Sequence, residues 1–406
     1  MTLAVTLLQI IVIVVCARAL GGLLKRFGQP AVIGEIAAGI ILGPSAFGHF
    51  APDLFARLFP AASIPALQSL SQIGLILFMF LVGLEFAPEL LRERKHTVVV
   101  ISHVSIIVPF LLGTALAVYL YPRVSDPSVS FRSFALFLGT AMSITAFPVL
   151  ARILTDRDLL RTRMGSTAIG CAAVDDVTAW CILAFVVMLA RAENISALAI
   201  KLALLALYAV VMLFVVRPLL KKPTLVTALV LALASAWCTE QLGIHALFGA
   251  FLAGAIMPRD EKLAAQLQGI SVIFLPLFFA VTGLRTNVGL LQSPALWLCF
   301  ALFLAVAIVG KLGGATLSAV TVGFSWRDAT AIGVLMNTRG LMEMVVVNIG
   351  RDIGVISQSL FTMAVLMALV TTAMTTPLLD RLLLPDQTRS RESDSLSPRS
   401  AAVPGG

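Results

Sequence analysis

From Leu3 to about Leu384 the chain is a succession of long apolar runs, parted by short polar or glycine- and proline-rich joints. A helix rises about 1.5 Å per residue, so a run of about 20 residues crosses a hydrocarbon layer of roughly 30 Å. Composition agrees: 59% of the residues are hydrophobic and 12% charged, against about 25% charged in soluble domains. The fold class is therefore an all-α polytopic membrane protein. In such a chain the net charge of +8 is a topology signal, and no basic patch with interleaved aromatics points to nucleic acid. Met1 to Leu20 has no positive stretch ahead of its apolar core, so it reads as a first membrane helix and not as a cleaved leader. The five cysteines all fall inside apolar runs without metal-ligand spacing and read as small core residues.

Thirteen candidate spans fall near 3–23, 30–46, 66–85, 97–121, 132–152, 164–190, 196–216, 223–242, 244–257, 266–284, 292–322, 328–350 and 358–384. Spans 2 and 9 are the shortest and are rich in glycine. Beyond Leu384 the composition turns polar, with Ser, Pro and charge, and residues 385–406 are expected to be a disordered cytoplasmic tail. With the N-terminus outside, the inner loops hold fifteen Lys and Arg residues, among them Lys25, Arg26, Arg92, Arg94, Arg152, Arg157, Arg161, Lys222 and Arg259, against seven outside. That excess places the N-terminus outside and the C-terminus in the cytoplasm, which requires an odd number of crossings.

The chain also repeats itself. Gly34-Glu-Ile-Ala-Ala-Gly39-Ile-Ile-Leu-Gly-Pro44 in span 2 resembles Gly249-Ala-Phe-Leu-Ala-Gly254-Ala-Ile-Met-Pro258 in span 9. Phe80-Leu-Val-Gly83-Leu-Glu85 in span 3 resembles Ala280-Val-Thr-Gly283-Leu-Arg285 in span 10. Matched spans lie seven apart, so the copies cross in opposite directions. Spans 1–6 and 8–13 are then two inverted six-helix repeats joined by span 7, an organisation that marks secondary transporters with a site near the midplane.

Within that frame, Asp175 and Asp176 stand side by side in the middle of span 6. A charge at that depth costs about 2.5–3.5 kcal/mol even on lenient scales. Neighbours on a helix point about 100° apart, so one acid can face a wet cavity while the other meets another helix. Span 5 contains Ser143-Ile-Thr145-Ala-Phe-Pro148, and its repeat counterpart in span 12 contains Asn337-Thr338-Arg339-Gly340-Leu-Met-Glu343. Both read as discontinuous helices that cross beside the acids, since unwound backbone at membrane depth needs protein or a wet cavity around it; a pair of ordinary kinks is the plainer alternative. Lys311 lies deep in span 11, too far from either end to snorkel, and needs a carboxylate, Asp175 or Asp176. Whether such a pair is structural or takes part in coupling is open at this point. Glu35 either lines a domain interface or holds a helix contact, and the second is preferred; His103 in span 4 is read as a hydrogen-bonded structural residue ahead of a pH sensor.

Together, Val32-Ile-Gly-Glu-Ile…Gly-Ile-Ile-Leu-Gly-Pro, Phe80-Leu-Val-Gly-Leu-Glu, Thr145-Ala-Phe-Pro-Val-Leu-Ala, Asp175-Asp176, Lys311 and Thr338-Arg-Gly-Leu-Met-Glu resemble the monovalent cation/proton antiporter-2 superfamily over residues 29 to 384. That group includes sodium/proton exchangers, Kef-type potassium efflux systems and plant cation/proton exchangers. The resemblance implies a homodimer of 1–384 membrane domains. Each would have a dimerisation part (about 1–96 and 223–290), a moving core (about 97–190 and 291–384) and a linker helix (about 196–216). It further implies that Asp176 binds the cation and the proton in turn, that Asp175 pairs with Lys311, and that Thr145 helps complete the cation site. Pro148, Arg339, Gly340 and Glu343 would support the crossing. The plant exchangers typically carry Asn, and Kef-type systems often Gln, where this chain has Asp175. The Asp-Asp pair with a lysine looks more like the electrogenic sodium/proton exchangers.

The resulting expectation is a secondary antiporter, not an enzyme, that exchanges sodium or potassium for protons and serves pH homeostasis in a cell inner membrane, without a cofactor. A carboxyl group in a dry place suits the task, because desolvation favours its neutral form and an arriving cation restores the charge balance. Both cations are hard and prefer oxygen ligands. Were cation binding also to break the Asp175–Lys311 pair, Lys311 would release a second proton. An intramembrane aspartyl protease needs acids facing each other, which neighbours on one helix cannot do. A sodium- or proton-coupled solute symporter on the same scaffold is the alternative, and it needs more polar midplane groups than this chain offers.

Overall fold

The computed structural model describes residues 3–85, 95–160, 162–191, 195–221, 223–242, 245–258 and 260–396. Arg92, Arg94, Arg161, Lys222 and Arg259 of the charge count, and residues 397–406 of the tail, lie outside them. Helices stand at all thirteen span positions, and no strand occurs among the described residues. They are Leu3–Arg26, Ala31–Leu42, Ile64–Glu85, Lys95–Val124, the pair Phe131–Ser143 and Phe147–Thr155, Arg163–Arg191 and Ile195–Val211. Then follow Leu225–Gln241, Ala246–Ile256, Glu261–Leu284, Pro294–Ile308 with Gly314–Thr321, the pair Trp326–Met336 and Leu341–Asp352, and Gln358–Leu396. Side-chain caps set several starts: the Ser130, Thr224, Asp260, Ser293 and Ser325 oxygens each accept a backbone N–H of the first turn.

Among the described residues, ten helical stretches are long and apolar enough to cross a bilayer by length and composition alone, and the pair in span 12, bent by 41°, makes an eleventh. Spans 8 and 9 are apolar but short, at 17 and 11 residues. At the C-terminal end, Gln358–Leu396 runs on through polar residues for which composition predicts disorder. A helix already nucleated in the bundle extends at the cost of one residue at a time, so polar sequence alone does not stop it.

Two packing groups organise the helices. Spans 2, 3, 9 and 10 pack on one another with span 1 alongside, while spans 4, 5, 6, 11, 12 and 13 form the second group. In the first group the repeat-matched glycines meet crosswise. A Cβ on Gly39 of span 2 would lie 2.0 Å from the Ala280 carbonyl oxygen of span 10, and one on Gly283 would lie 2.2 Å from that of Ile36. Likewise a Cβ on Gly83 of span 3 would lie 2.1 Å from the Phe251 carbonyl oxygen of span 9, and one on Gly254 would lie 2.0 Å from that of Phe80. Helix 2 of one copy thus packs on helix 3 of the other, twice over, as a two-fold axis relating the copies requires. Close backbone approach replaces the hydrophobic effect as the source of helix adhesion in lipid.

Gly254→Ala should therefore wedge spans 3 and 9 apart and lower stability by about 1–3 kcal/mol or more. Gly22→Ala, where an added Cβ meets nothing within 4 Å, should be neutral or stabilising by up to about 1 kcal/mol. Thermal melting of the two variants in detergent, beside the parent, checks the contrast.

Candidate functional site

The helix of span 5 stops at Ser143 and restarts at Phe147, and that of span 12 stops at Met336 and restarts at Leu341. The breaks touch: the Ala146 N–H donates to the Thr338 carbonyl at 2.9 Å. Pro148 sits in the first turn of the restarted helix, where a missing N–H costs nothing, so it begins a new helix and does not kink an old one. Carbonyls freed at the end of Phe131–Ser143 all find donors. Arg339 donates to the Ala141 and Met142 oxygens at 2.7 and 2.6 Å, and Lys311 donates to that of Ser143 at 2.6 Å. Arg339 also pairs with Glu343 at 2.6 Å, both side chains fully buried. From span 13, Thr372 accepts the Arg339 N–H at 3.2 Å and donates to the Arg339 carbonyl at 2.6 Å. Gly340 fits under Val149, whose Cγ2 would lie 2.9 Å from an added Cβ. A cation at a helix C-terminus also meets its negative dipole end.

The two acids of span 6 have different surroundings. Asp175 is fully buried and saturated with donors. Its Oδ2 accepts from Lys311 Nζ at 2.7 Å, Thr145 Oγ1 at 2.8 Å and Ser105 Oγ at 3.1 Å, while Oδ1 accepts from Ser102 Oγ at 2.6 Å. Lys311, also fully buried, spends its remaining donors on the Ser143 carbonyl and on that of Ser105 at 3.0 Å. Asp176 is 5% exposed, and its buried Oδ1 has no partner. The Phe147 N–H, at the start of the half-helix, is directed at its carboxyl, an arrangement in which the positive end of a helix faces an anion.

Asp176 lines a cavity of about 470 Å³ between the two packing groups. Phe147, Pro148 and Ala151 form one wall, and Phe251, Val272 and Phe279 are on the other. The lining reaches Arg18, Ala151 and Gln268, near the ends of the span 1 and span 5 helices and the start of that in span 10. The cavity thus opens on the face that carries Lys25 and Arg152. On the opposite face the same seam is shut, leaving only about 20 Å³. There Arg285 of span 10 donates to Asp352 at 2.7 Å and to Asn348 at 2.8 Å on the second half of span 12, and Gln358 donates to the Arg285 carbonyl at 2.6 Å.

The structure thus gathers Asp175, Asp176, Thr145, Lys311, Pro148, Arg339, Gly340 and Glu343 around one crossing. The Thr145 hydroxyl donates to Asp175 and reaches the Met336 carbonyl at 3.1 Å, so it serves the ion pair. Sequence reasoning missed Ser102 and Ser105, which hold Asp175 from span 4. Their signal was Ser102-His-Val-Ser105, two hydroxyls one helical turn apart in an apolar span. His103 is exposed on the outer face of that span, with Nδ1 2.8 Å from the Val99 carbonyl.

Residues 10–383 match the family described as sodium/hydrogen exchanger, transmembrane. The chain is 43% identical to the Na(+)/H(+) antiporter NhaS4 of Synechocystis sp. across 94% of this chain and 98% of that protein. It is 36% identical to K(+)/H(+) antiporter 1 of Saccharomyces cerevisiae and 39% identical to cation/H(+) antiporter 17 of Arabidopsis thaliana. Of those two it spans about half the length, 45% and 48%. Among solved structures, the sodium proton antiporter MjNhaP1 of Methanocaldococcus jannaschii superposes with a TM-score of 0.68 at 15% identity, over 95% of this chain and 99% of that one. At that identity the likeness speaks for the fold.

Removing one partner of a fully buried pair leaves the other charge uncompensated, at a cost of about 3–5 kcal/mol. Lys311→Met should lower stability by that amount, and Lys311→Met combined with Asp175→Asn should recover most of the loss. Melting curves of the single and double variants measure both.

Proposed function

This chain belongs to the sodium/hydrogen exchanger family, and from that premise we propose that it exchanges a monovalent cation, sodium or potassium, for protons by alternating access at Asp176. The observation that carries the reading is an unpartnered carboxyl oxygen at the wall of a cavity open on one face, with the other face shut. Such a carboxyl can hold a proton or a cation and is poorly suited to holding neither, because a bare charge in a dry site is costly. Relatives named as Na(+)/H(+) and K(+)/H(+) antiporters support both cations as cargo.

In this mechanism spans 1–3 and 8–10 are the stationary, dimer-forming part, with span 7 as linker. Spans 4–6 and 11–13 carry the site past it. The open face, with Lys25, Arg152 and Arg157, is the cytoplasmic one by the charge count, so the arrangement is inward-open and the Arg285 network is the outer seal. Each passage of Asp176 moves one cation or one proton. A second proton per cation requires the Lys311–Asp175 pair to open, and that pair is held by Ser102, Ser105 and Thr145 as well. The symporter alternative finds little support in a cavity whose walls are mostly apolar, since a solute needs polar groups to recognise it.

Asp176→Asn should abolish cation-driven proton movement in proteoliposomes carrying an internal pH dye, with the protein still folded by melting temperature; exchange at the parental rate would overturn the reading. Asp175→Asn, assayed with membrane potential clamped and free, reports whether the ion pair contributes charge to the cycle. Asp352→Asn should loosen the outer seal and shift the two-state balance by about fivefold, equivalent to about 1 kcal/mol. A Ser71→Cys reporter at the sealed seam, labelled by a membrane-impermeant thiol reagent, should then react correspondingly faster.

A further inference from the structure

We propose that Glu35 is a cation-gathering carboxylate on the stationary wall of the cavity, loading Asp176 from one face of the membrane only. The inference rests on the antiport reading above and adds a second acidic residue to the path. Glu35 lines the same cavity as Asp176 but belongs to span 2, in the other packing group. It is only 7% exposed, and no hydrogen bond or ion pair to it occurs among the described residues. A carboxylate that bonds to nothing does not hold helices together, so the structural reading of this residue loses its basis.

The chain around Glu35 fixes where the carboxylate sits. A Cβ on Gly34 would lie 2.5 Å from the Gly21 backbone nitrogen, so the helices of spans 1 and 2 touch at the residue before it. The Glu35 stem lies beside Gly21, where a Cβ would stand 3.5 Å from its Cγ. The side chain is thereby held at the wall while its carboxyl stays on the cavity. Three cations act on it from a distance: Arg18 and Lys25 of span 1 and Arg152 of span 5. Arg18, the one lining the cavity, donates to the Val272 carbonyl and makes no hydrogen bond or ion pair to Glu35. On the same cavity stands Asp176, whose Oδ1 is also without a partner.

Two carboxyl groups facing one cavity attract hard cations, which take oxygen ligands. Acid-lined clefts raise the local cation concentration about tenfold or more. The two acids differ in that Asp176 travels and Glu35 does not. Glu35 can therefore favour the cation only while the site faces the Lys25–Arg152 side. What it contributes to binding on that face must reappear in the equilibrium between the two access states, as closure of the cycle demands.

The test uses the full-length chain in right-side-out and inverted membrane vesicles, with sodium or potassium chloride added to one face at a time and proton movement followed by dye. Glu35→Gln should raise the half-saturating cation concentration about tenfold from the Lys25–Arg152 face. From the other face it should change less than about twofold, and Glu35→Asp should restore most of the loss. An equal rise from both faces, or none from either, overturns the inference, and melting temperatures of both variants confirm that the fold is intact. Asp176→Asn run alongside separates the two readings. If it is silent while Glu35→Gln behaves as the parent, only the Glu35 inference fails; if it still exchanges, the antiport site itself is wrong and the inference falls with it.

Discussion

The site depends on one ion pair buried away from solvent, Lys311 with Asp175. Moving two charges into a low-dielectric interior costs several kcal/mol per ion, and their attraction offsets that only with good geometry and further hydrogen bonds. Both conditions are met here. Asp175 takes donors from Lys311, Thr145, Ser102 and Ser105, and Lys311 gives its other protons to two carbonyls. Those partners come from spans 4, 5, 6 and 11, so one contact fastens four helices at the point where span 5 loses its own backbone ladder. Without Lys311 the Ser143 carbonyl would lose its ammonium donor, and the break in span 5 would be harder to sustain at membrane depth.

Complete satisfaction of Asp175 is also what leaves Asp176 available. The donors within reach converge on the first acid, and the next residue, turned about 100° around the helix, looks away from them into the seam between the packing groups. The start of a half-helix, Phe147 and Pro148, lines the same cavity and brings a partial charge that stabilises an anion without occupying its oxygens as a cation would. Adjacent acids of the same type thus receive opposite roles from position alone, one as part of the framework and one with a vacant oxygen.

Much of this was legible in the sequence, for reasons that differ by residue. Helix positions followed from apolar length, and the breaks from Pro148 and from Asn337-Thr338-Arg339-Gly340, residue types that disrupt a helix ladder. The lysine's need for an acid followed from the cost of an isolated charge in lipid. Ser102 and Ser105 stayed hidden because a hydroxyl in a membrane helix usually bonds its own preceding carbonyl; Ser105 does so as well, at 2.9 Å to Ser102. The role of Thr145 was harder still, since a hydroxyl beside two acids can serve either, and only the fold decides. Glu35 looks like a helix contact in the sequence because sequence does not show a missing partner.

The glycine contacts and the broken helices are complementary parts of one design. The proposed moving site would need a surface that does not yield, and spans 2, 3, 9 and 10 offer one by bringing backbone against backbone at the matched glycines, where no side chain is left to change rotamer. The crossing, in contrast, is held by side chains reaching freed carbonyls, and each of those bonds lies within the second packing group: Arg339 to span 5, Thr372 to span 12, Lys311 to spans 4 and 5. None of them spans the seam. The contacts that do cross it at the closed face are the partly exposed Arg285 pairs with Asp352 and Asn348 and a few neutral hydrogen bonds, Gln358 to the Arg285 carbonyl, Asn348 to Thr282 and Asn287 N–H to Thr362, and partly exposed pairs are worth little in free energy. Strong bonds inside each group and weak ones between them are the arrangement that the proposed sliding of one group past the other, with its site intact, would require.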